Sequence, residues 1–404
     1  MQSAKGGTDP VSLPERQAPR MHAHDAVDWQ RVAYLMQASR NLDRIEESRL
    51  VPQRQVLYQF SARGHELGQT LLAQQLSDAH DAVAVYYRSR PLLLALGLEL
   101  EEAAAAPLAR EGSFSAGRDI GVVFNMPRRE SVTVLPSCGG VGAQYTPAAG
   151  WAQAIRYRSE TLGDSSYARS IAVVHGGDAS VATNGFWSAL TLATTLQLPL
   201  LFYIEDNGFG ISVSSALQTP GANIAANLSG FHNLTVLDGD GTQPQHAAEL
   251  TARAVDLVRE RRAPVLLRLT VPRLCGHSAQ DTQTYKTANV LALEREHDPL
   301  PRLQRFLVPA RLSEEQWQTL ARAAQADVEA AVTRALARPT PDANSLTRYA
   351  FCERDPAGMF VLQQQGGAAP EGQVFPPGRG QARPEGTRIN MLTAIRRTLD
   401  VELG

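Results

Sequence analysis

The sequence predicts an α/β fold with a doubly wound, mostly parallel sheet flanked by helices. Two short apolar runs, 171–175 and 198–204, have the composition of strands that are buried on both faces of such a sheet. Between them, at 182–197, apolar residues recur at helical spacing. A right-handed crossover through that helix would lay the two strands parallel, most simply as neighbours.

Segments on either side continue this alternation of strands and helices. Further strands are predicted at 83–87, 132–136, 234–237 and 264–271, and helices at 27–47, 68–76, 91–108, 244–259 and 311–337, with another helix ending near 155. The pair Gly176-Gly177 and the segment 238–241 are interpreted as turns. Helical extensions are expected at both ends of the sheet domain.

Two polar residues stand just past the carboxyl ends of the two central strands. Asp178 follows the first strand and Asn207 follows the second. Because neighbouring strands lie about 4.8 Å apart, oxygen atoms of both side chains could reach a single cation. Mg²⁺ is usually shared between one or two side chains and phosphates, and the helix start expected after Asp178 also favours anions. The pair therefore predicts a metal–diphosphate site.

Each residue taken alone has a plainer explanation. Asp178 is equally consistent with a helix cap, and Asn207 before a glycine with a turn. A site is favoured because both residues fall in the crevice where open α/β sheets bind ligands. No G-x-G-x-x-G follows either strand, which disfavours a nicotinamide site.

Composition limits the class of protein. With 404 residues, of which 43% are hydrophobic, the chain can bury a large core as one large domain with appendages. A net charge of -2 excludes a basic surface for nucleic acid. The only cysteines, Cys138, Cys275 and Cys352, argue against disulfides and for a reducing cytoplasm. No apolar run has transmembrane length, so a cytoplasmic protein without a membrane partner is expected.

The central segment resembles the thiamine diphosphate motif, in which Gly-Asp-Gly is followed some two dozen or more residues later by Asn-Asn. Here it reads Gly177-Asp178-Ala179 and Asp206-Asn207, so Ala179 replaces a glycine and Asp206 an asparagine. The chain is similar, over about 27–340, to the alpha subunit of the decarboxylating component of 2-oxo acid dehydrogenase complexes. That family includes pyruvate and branched-chain (2-oxoisovalerate) enzymes.

The resemblance implies a thiamine-diphosphate-binding fold and a set of site residues. Mg²⁺ would be held by Asp178, Asn207 and the backbone carbonyl of Phe209. Tyr87, Arg88 and Arg273 would contact the diphosphate, for which a phenol and bidentate guanidinium groups are well suited. The other implied cofactor contacts are Gly139, Val141, Gly177, Ala179, Ser180, Ile211 and His277.

The segment 272–278 resembles the family's Arg-x-x-Gly-His-Ser loop, which implies that His277 is catalytic. An imidazole with a near-neutral pKa can stabilise or protonate anionic intermediates around decarboxylation and acyl transfer. Cys275 stands where the family often has another histidine. His65 stands where it usually has glutamine, and is expected to stabilise the start of a helix.

The implied activity is oxidative decarboxylation of a 2-oxo acid, with transfer of the acyl group to a lipoyl-bearing acyltransferase core. In this family a beta subunit completes the active site, so a heterotetramer or a fused-chain dimer is expected. Branched-chain acids are favoured over pyruvate because Tyr86-Tyr87-Arg88 followed by 92–95 resembles that branch more closely. The alternatives are an acetoin-type dehydrogenase and a non-catalytic subunit with a degenerate cofactor site.

Four regions are predicted along the chain. They are a flexible arm at 1–26, the alpha-subunit domain at 27–340, a linker region at 341–387 and a helix at 388–404. The last helix is amphipathic and resembles the start of the family's beta subunit. It indicates a fused alpha–beta gene, with an ordinary C-terminal docking helix as the alternative.

Overall fold

The chain divides into two units, Met1–Thr347 and Arg348–Gly404. The computed structural model describes residues 26–126, 132–346 and 390–403. Most of the predicted arm at 1–26 and of the predicted linker at 341–387 lies outside the described residues, as does Cys352. The proposed division into four regions therefore stays a prediction.

A six-stranded sheet, in which all neighbouring strands run parallel, forms the centre of the first unit. The chain forms eight strands: β1 (Ala82–Ala84), β2 (Thr133–Leu135), β3 (Ala172–Gly177), β4 (Leu200–Asp206), β5 (Phe209–Gly210), β6 (Val213–Ser214), β7 (Thr235–Asp240) and β8 (Val265–Thr270) within the described residues. β5 and β6 form a separate hairpin, and the other six make up the sheet. Their order in the sheet is β2-β1-β3-β4-β8-β7. The predicted α/β fold with a parallel sheet is confirmed.

Helices cover both faces of this sheet, as the predicted doubly wound architecture requires. They are α1 (Trp29–Ile45), α2 (Glu66–Gln75), α3 (Arg90–Ala95), α4 (Leu100–Ala105), α5 (Tyr145–Arg156), α6 (Asn184–Leu196), α7 (Ile224–Asn227), α8 (Pro244–Arg261), α9 (Ala288–Glu296), α10 (Pro299–Leu307) and α11 (Glu314–Ala337). None of the helices in the described part of the chain is both long and apolar enough to cross a membrane.

Alternate residues of the central strands enter two different hydrophobic cores. Val173 and Leu201 pack into the core shared with α1, α3, α8 and α11. Val174 and Phe202, the next residue in each case, pack into the core shared with α5 and α6. Because side chains alternate across a strand, continuous apolar runs are the pattern that a sheet covered on both faces needs.

The two central strands pair in parallel and in register, from Ala172 opposite Leu200 to Gly177 opposite Glu205. The prediction that they are neighbours is therefore correct. Asp178 is the first residue after β3, whereas β4 continues through Asp206, which pairs with Thr270 of β8, and Asn207 is the first residue after β4. This register is what brings the predicted ligands to one edge of the sheet.

Both predicted glycine turns were wrong in detail. β3 continues through Gly176 and Gly177, so its turn begins only at Asp178. A Cβ on Gly176 would lie 2.2 Å from the hydroxyl of Tyr145, so this glycine permits close packing against α5. β7 likewise runs through Asp240, so residues 238–240 end a strand, and the turn follows them.

Two other predicted segments differ in length. The strand expected at 83–87 ends at Ala84, because Tyr86 already belongs to a turn in which its N–H donates to Ser89 Oγ at 3.0 Å. The helix expected at 91–108 is the pair α3 and α4. The break lies at Gly97, whose φ of +101° a right-handed helix does not allow.

In the second unit, the described residues form the helix α12 (Met391–Leu403). Its apolar side chains are largely exposed, with Met391 79%, Ile395 52% and Leu399 50% accessible. The helix predicted at the end of the chain is thus present within the described residues. Its derivation from a fused gene stays a prediction.

Candidate functional site

A cavity of about 640 Å³ lies at the carboxyl ends of the central strands. Most of its lining comes from the segments that follow β1, β2, β3, β4 and β8, which is where open parallel sheets bind ligands, and the rest from the segment before α2. Every residue predicted from the sequence lines this cavity: Tyr87, Arg88, Gly139, Val141, Gly177, Asp178, Ala179, Ser180, Asn207, Phe209, Ile211, Arg273 and His277.

Asp178 presents an unusual buried carboxylate to the cavity. It is 4% exposed, and its Oδ2 atom has no hydrogen-bond partner among the described residues. Its Oδ1 accepts one long bond, from the backbone N–H of Asn207 at 3.4 Å. Burial, followed by the nearby charge of Asp206, raises the pKa of Asp178 to about 7. A cation bound at Oδ2 would offset both the burial of this carboxylate and its repulsion by Asp206.

Asn207 and Phe209 lie beside this carboxylate in the loop after β4. The Oδ1 of Asn207 accepts the backbone N–H of Phe209 at 3.2 Å, which fixes the side chain in a short turn. Phe209 begins the β5 hairpin, and its carbonyl oxygen lies 3.5 Å from Arg273 Nη1. The three predicted metal-binding residues are therefore brought together.

The helix start expected directly after Asp178 is not there. A short 3-10 turn, Ser180–Ala182, comes first, and α6 begins at Asn184 with Thr183 as its cap. Ser180 instead closes the turn, because its hydroxyl donates to the Gly177 carbonyl at 2.6 Å and accepts the Gly177 N–H at 3.0 Å. Anion binding here cannot rely on the N-terminus of α6.

Both departures from the resembled motif have a local counterpart. A Cβ at Gly210 would lie 2.7 Å from the Cβ of Ala179, so the methyl group of Ala179 fits because residue 210 is glycine. The Oδ2 atom of Asp206 accepts a bond from Arg268 Nε at 2.7 Å, and its Oδ1 accepts the Gly208 N–H at 2.9 Å. The extra carboxylate is thus paired with Arg268, which also forms an ion pair with Asp238.

Two buried arginines flank the cavity. Arg88 is 2% exposed and donates to the backbone carbonyls of Ser61 and, at 3.2 Å, His277. Arg273 is 1% exposed, donates to the Ile211 carbonyl at 2.8 Å and leaves its Nε without a partner among the described residues. Neither forms an ion pair with a described carboxylate, so their positive charge is available to an anion.

An aromatic wall surrounds His277. The ring of Phe60 lies 4.3 Å from that of Tyr87 and 5.1 Å from the imidazole, and the rings of Tyr87 and His277 are 5.8 Å apart. The backbone N–H of His277 donates to Asp281 Oδ2 at 2.6 Å. Ring contacts and backbone anchors therefore position this loop from several sides.

The protonation of His277 differs from the sequence expectation. Burial, together with the nearby charges of Arg88 and Arg273, lowers the pKa of His277 to about 4. The imidazole is therefore neutral at physiological pH, when it can accept a proton at one nitrogen and donate a hydrogen bond from the other. The expected near-neutral pKa is wrong for this state of the chain.

Gly139 and Val141 form the exposed side of the cavity. A Cβ at Gly139 would meet no atom within 4 Å, and Val141 is 52% exposed. The backbone here is open to close approach by a flat ring, and Val141 offers an apolar contact. A surface this open next to a cavity indicates a site that another chain could complete.

Several cavity residues were missed by sequence reasoning. They are Tyr58, Phe60, Tyr86, Ile120, Val122, Cys138, Gly140, Gln144, Gly210 and Gln218. The aromatic residues Tyr58, Phe60 and Tyr86 stand close in sequence to segments that were already assigned to the site, so they could have been included in it. Gln218 has no such signal, because it reaches the cavity only through the fold of the β5–β6 hairpin.

A buried polar cluster lies directly beneath the site. The Oε2 atom of Glu205 receives bonds at 2.9 Å from His65 Nδ1, His175 Nε2 and Gln69 Nε2. Burial opposes ionisation of Glu205, yet the two histidines lower its pKa to about 2. His65 was expected to stabilise a helix start. Its side chain makes no capping bond on α2 and bonds to Glu205 instead, so that prediction was wrong.

Among the described residues, no group of three or more His, Cys, Asp or Glu side chains could hold a metal ion. The site offers one carboxylate, one carboxamide and one backbone carbonyl. Mg²⁺ commonly keeps only one or two side-chain ligands and completes its shell with phosphate oxygens and water. This donor set therefore fits Mg²⁺ in company with a phosphate group, and does not fit an ion held by the protein alone.

Comparison with known proteins gives a consistent result. The family model "Dehydrogenase E1 component" matches residues 34–344. The chain is similar to proteins named pyruvate dehydrogenase E1 component subunit alpha: 27% identical over 252 residues in Zymomonas mobilis (62% of this chain, 68% of the relative), 23% over 281 in Porphyra purpurea (69% and 80%), and 26% over 307 in Staphylococcus aureus (73% and 76%).

The matched region contains the whole sheet and every segment that lines the cavity, and it extends over well more than half of the chain. The chain belongs to the dehydrogenase E1 component family, as an alpha subunit of a 2-oxo acid dehydrogenase.

Proposed function

We propose that this chain binds thiamine diphosphate with Mg²⁺ and serves in the oxidative decarboxylation of a 2-oxo acid. The acyl group would pass to a lipoyl-bearing acyltransferase core. One observation carries the proposal: among the described residues, the buried Oδ2 of Asp178 has no hydrogen-bond partner, and it lies beside Asn207 in a cavity bounded by two arginines that form no ion pair with a carboxylate. Family membership supports it, because the dehydrogenase E1 family depends on thiamine diphosphate.

The cation would be held by Asp178, Asn207 and the Phe209 carbonyl, and the diphosphate by Arg88, Arg273 and Tyr87. A buried carboxylate or guanidinium group without an oppositely charged partner lowers the stability of the folded protein unless a ligand supplies the opposite charge. A dianionic diphosphate with a divalent cation supplies both charges at once. The unpaired charges and hydrogen-bonding atoms of the site thus match this ligand.

When bound, thiamine diphosphate would supply a nucleophilic carbon that adds to the keto carbon and a cationic ring that takes up the electron pair released as CO₂ leaves the 2-oxo acid. The chain's own contribution is His277. Its neutral imidazole can donate a hydrogen bond to a developing oxyanion. Phe60 and Tyr87 restrict water around the ring, which strengthens such interactions.

A non-catalytic subunit with a degenerate site is less well supported. That alternative depended on Ala179 and Asp206, and both are accommodated, by Gly210 and Arg268 respectively. A site that had lost its function would accumulate substitutions that no neighbouring residue accommodates. The cavity-lining arginines and His277 are also all retained.

For the substrate, the names of the relatives favour pyruvate over the branched-chain acids that the sequence favoured. Part of the reason for favouring branched-chain acids, the resemblance at 92–95, is weakened. Leu92, Leu93 and Leu94 are buried in the hydrophobic core shared with α11, and they do not line the cavity. Tyr86 and Tyr87 do line it, so the two tyrosines are the part of that resemblance that could contact a substrate.

The beta subunit is proposed to cover the face formed by α5 and α6. These helices pack against one another, and the segments 139–155 and 179–204 contain no charged residue. Their outward side chains include Val141 at 52%, Trp187 at 43% and Leu192 at 36% exposure. An extended uncharged surface on a water-exposed helix pair typically marks a protein interface. It adjoins the cavity through Val141, so a partner seated there would also close the site.

Replacing Asp178 with alanine is expected to weaken Mg²⁺-dependent binding of thiamine diphosphate by about a hundredfold or more, because a buried charged contact is lost. Calorimetric titration of the assembled enzyme measures this directly. Asp240→Ala is the matched control, since Asp240 lies outside the cavity and bonds to Thr242. Equal binding by wild type and Asp178→Ala would refute the metal site.

Replacing His277 with alanine is expected to lower kcat for 2-oxo acid decarboxylation by about 10²–10³-fold, since a hydrogen-bond donor to the developing oxyanion is removed. Thiamine diphosphate affinity should change only a few-fold. Turnover would be measured on pyruvate and on 3-methyl-2-oxobutanoate, with the exposed His232 changed to alanine as control. Unaltered kcat on both substrates would remove His277 from the chemistry.

Changing Leu192 to lysine is expected to abolish co-purification of the beta subunit, because a charge would enter an uncharged contact surface. The control is Leu293→Lys, a leucine that is 57% exposed on α9. The amount of beta subunit retained on a tagged chain is the measurement. Retention at the wild-type level in Leu192→Lys would place the interface elsewhere.

A further inference from the structure

A chain of buried hydrogen bonds runs through the sheet to the proposed cation site. Ser89 Oγ and His175 Nδ1 are 2.8 Å apart, and His175 Nε2 lies 2.9 Å from Glu205 Oε2. The same oxygen lies 2.9 Å from His65 Nδ1, and the opposite nitrogen of that ring, Nε2, lies 3.4 Å from Asn207 Nδ2. Except for Asn207, all these side chains are fully buried.

The direction of each bond follows from the carboxylate at the centre. An ionised carboxylate only accepts hydrogen bonds, so His65 must carry its proton on Nδ1 when it bonds to Glu205. In a neutral ring, Nε2 is then an acceptor. The only donor that faces it among the described contacts is the NH₂ group of Asn207. Gln69, which also donates to Glu205 Oε2 at 2.9 Å, keeps the carboxylate from rotating.

This arrangement decides which end of the Asn207 carboxamide faces the cavity. Its NH₂ group is held by His65, and its Oδ1 accepts the Phe209 N–H at 3.2 Å. Reversal of the carboxamide would set NH₂ against the Phe209 N–H and Oδ1 against a ring nitrogen that also accepts. Both contacts would then be repulsive, and a donor would be turned toward the cation.

We propose that His65 is a positioning residue for the cation site, and that Glu205 sets the tautomer that lets it act. The proposal rests on the function proposed above, since it takes Asn207 Oδ1 as a ligand. His65 itself touches neither cation nor cofactor. Its effect passes through Asn207, and the rest of the chain of bonds serves to hold Glu205 in place.

Substitutions at His65 separate its two bonds. In His65→Asn the side-chain NH₂ takes the place of Nδ1 and still donates to Glu205, while the contact with Asn207 is lost. In His65→Gln the longer carboxamide reaches the position of Nε2 and can accept from Asn207. The matched control is His175→Asn, which removes one donor to Glu205 and leaves the His65–Asn207 contact unchanged.

The measurement is Mn²⁺ affinity in the presence of thiamine diphosphate. The assembled enzyme, purified through a tag on this chain, is titrated with Mn²⁺, and free Mn²⁺ is read from its electron paramagnetic resonance signal. We expect His65→Asn to raise the Kd for Mn²⁺ about 10–100-fold, as for other residues that orient metal ligands. His175→Asn and His65→Gln should stay within a few-fold of wild type. The thermal midpoint without cofactor should fall more in His175→Asn than in His65→Asn.

Several results would overturn the proposal. Unchanged affinity in His65→Asn would show that Asn207 needs no such support. Equal loss in His175→Asn and His65→Asn would assign the effect to packing around Glu205. If the His65→Asn protein does not fold, the His65→Gln protein becomes the test. Weak Mn²⁺ binding by folded His65→Gln would then contradict the proposal. A wild-type enzyme that binds thiamine diphosphate but no Mn²⁺ removes this inference alone, and one that binds neither removes the proposed function as well.

Discussion

The site depends on the in-register parallel pairing of β3 with β4. Because Gly177 lies opposite Glu205, β3 and β4 end within one residue of each other, and Asp178 and Asn207 follow them at the same edge of the sheet. A slip of one residue would turn every side chain of a strand to the opposite face. That slip would also reverse the division of Val173 and Val174 between the two cores. The hydrophobic pattern that stabilises the sheet therefore also fixes the geometry of the ligands.

Charge is balanced around the site in two distinct ways. Structural charges are paired: Asp206 with Arg268, and Glu205 with hydrogen bonds from His65 and His175. Charges on the cavity side are not paired within the part of the chain that the structure describes: Asp178 Oδ2 and Arg273 Nε have no hydrogen-bond partner there. Since an unpaired buried charge is costly, this division separates groups that hold the fold from groups that await a ligand.

Sequence reasoning succeeded where local pattern determines structure. The apolar runs predicted the central strands, and Asp178 and Asn207 after them predicted a site at their carboxyl ends; Ile211 and Arg273 followed only from the family resemblance, and they too line the cavity. It failed where packing at a distance decides. Nothing local indicates that Gly176 is needed by Tyr145, or that the side chain of His65 reaches a carboxylate 140 positions away. The pKa of His277 was likewise missed, because it reflects burial and two arginines from other segments.

The central claim is that Asp178 and Asn207 hold a divalent cation at the ends of β3 and β4. Crystals of the assembled enzyme grown with thiamine diphosphate and Mn²⁺ test it most directly, through an anomalous difference map at the manganese absorption edge. A peak at about 2.0–2.2 Å, the distance of Mg²⁺-type ligands, from Asp178 Oδ2, Asn207 Oδ1 and the Phe209 carbonyl is the predicted result. A peak elsewhere, or none with the diphosphate present, would contradict the account.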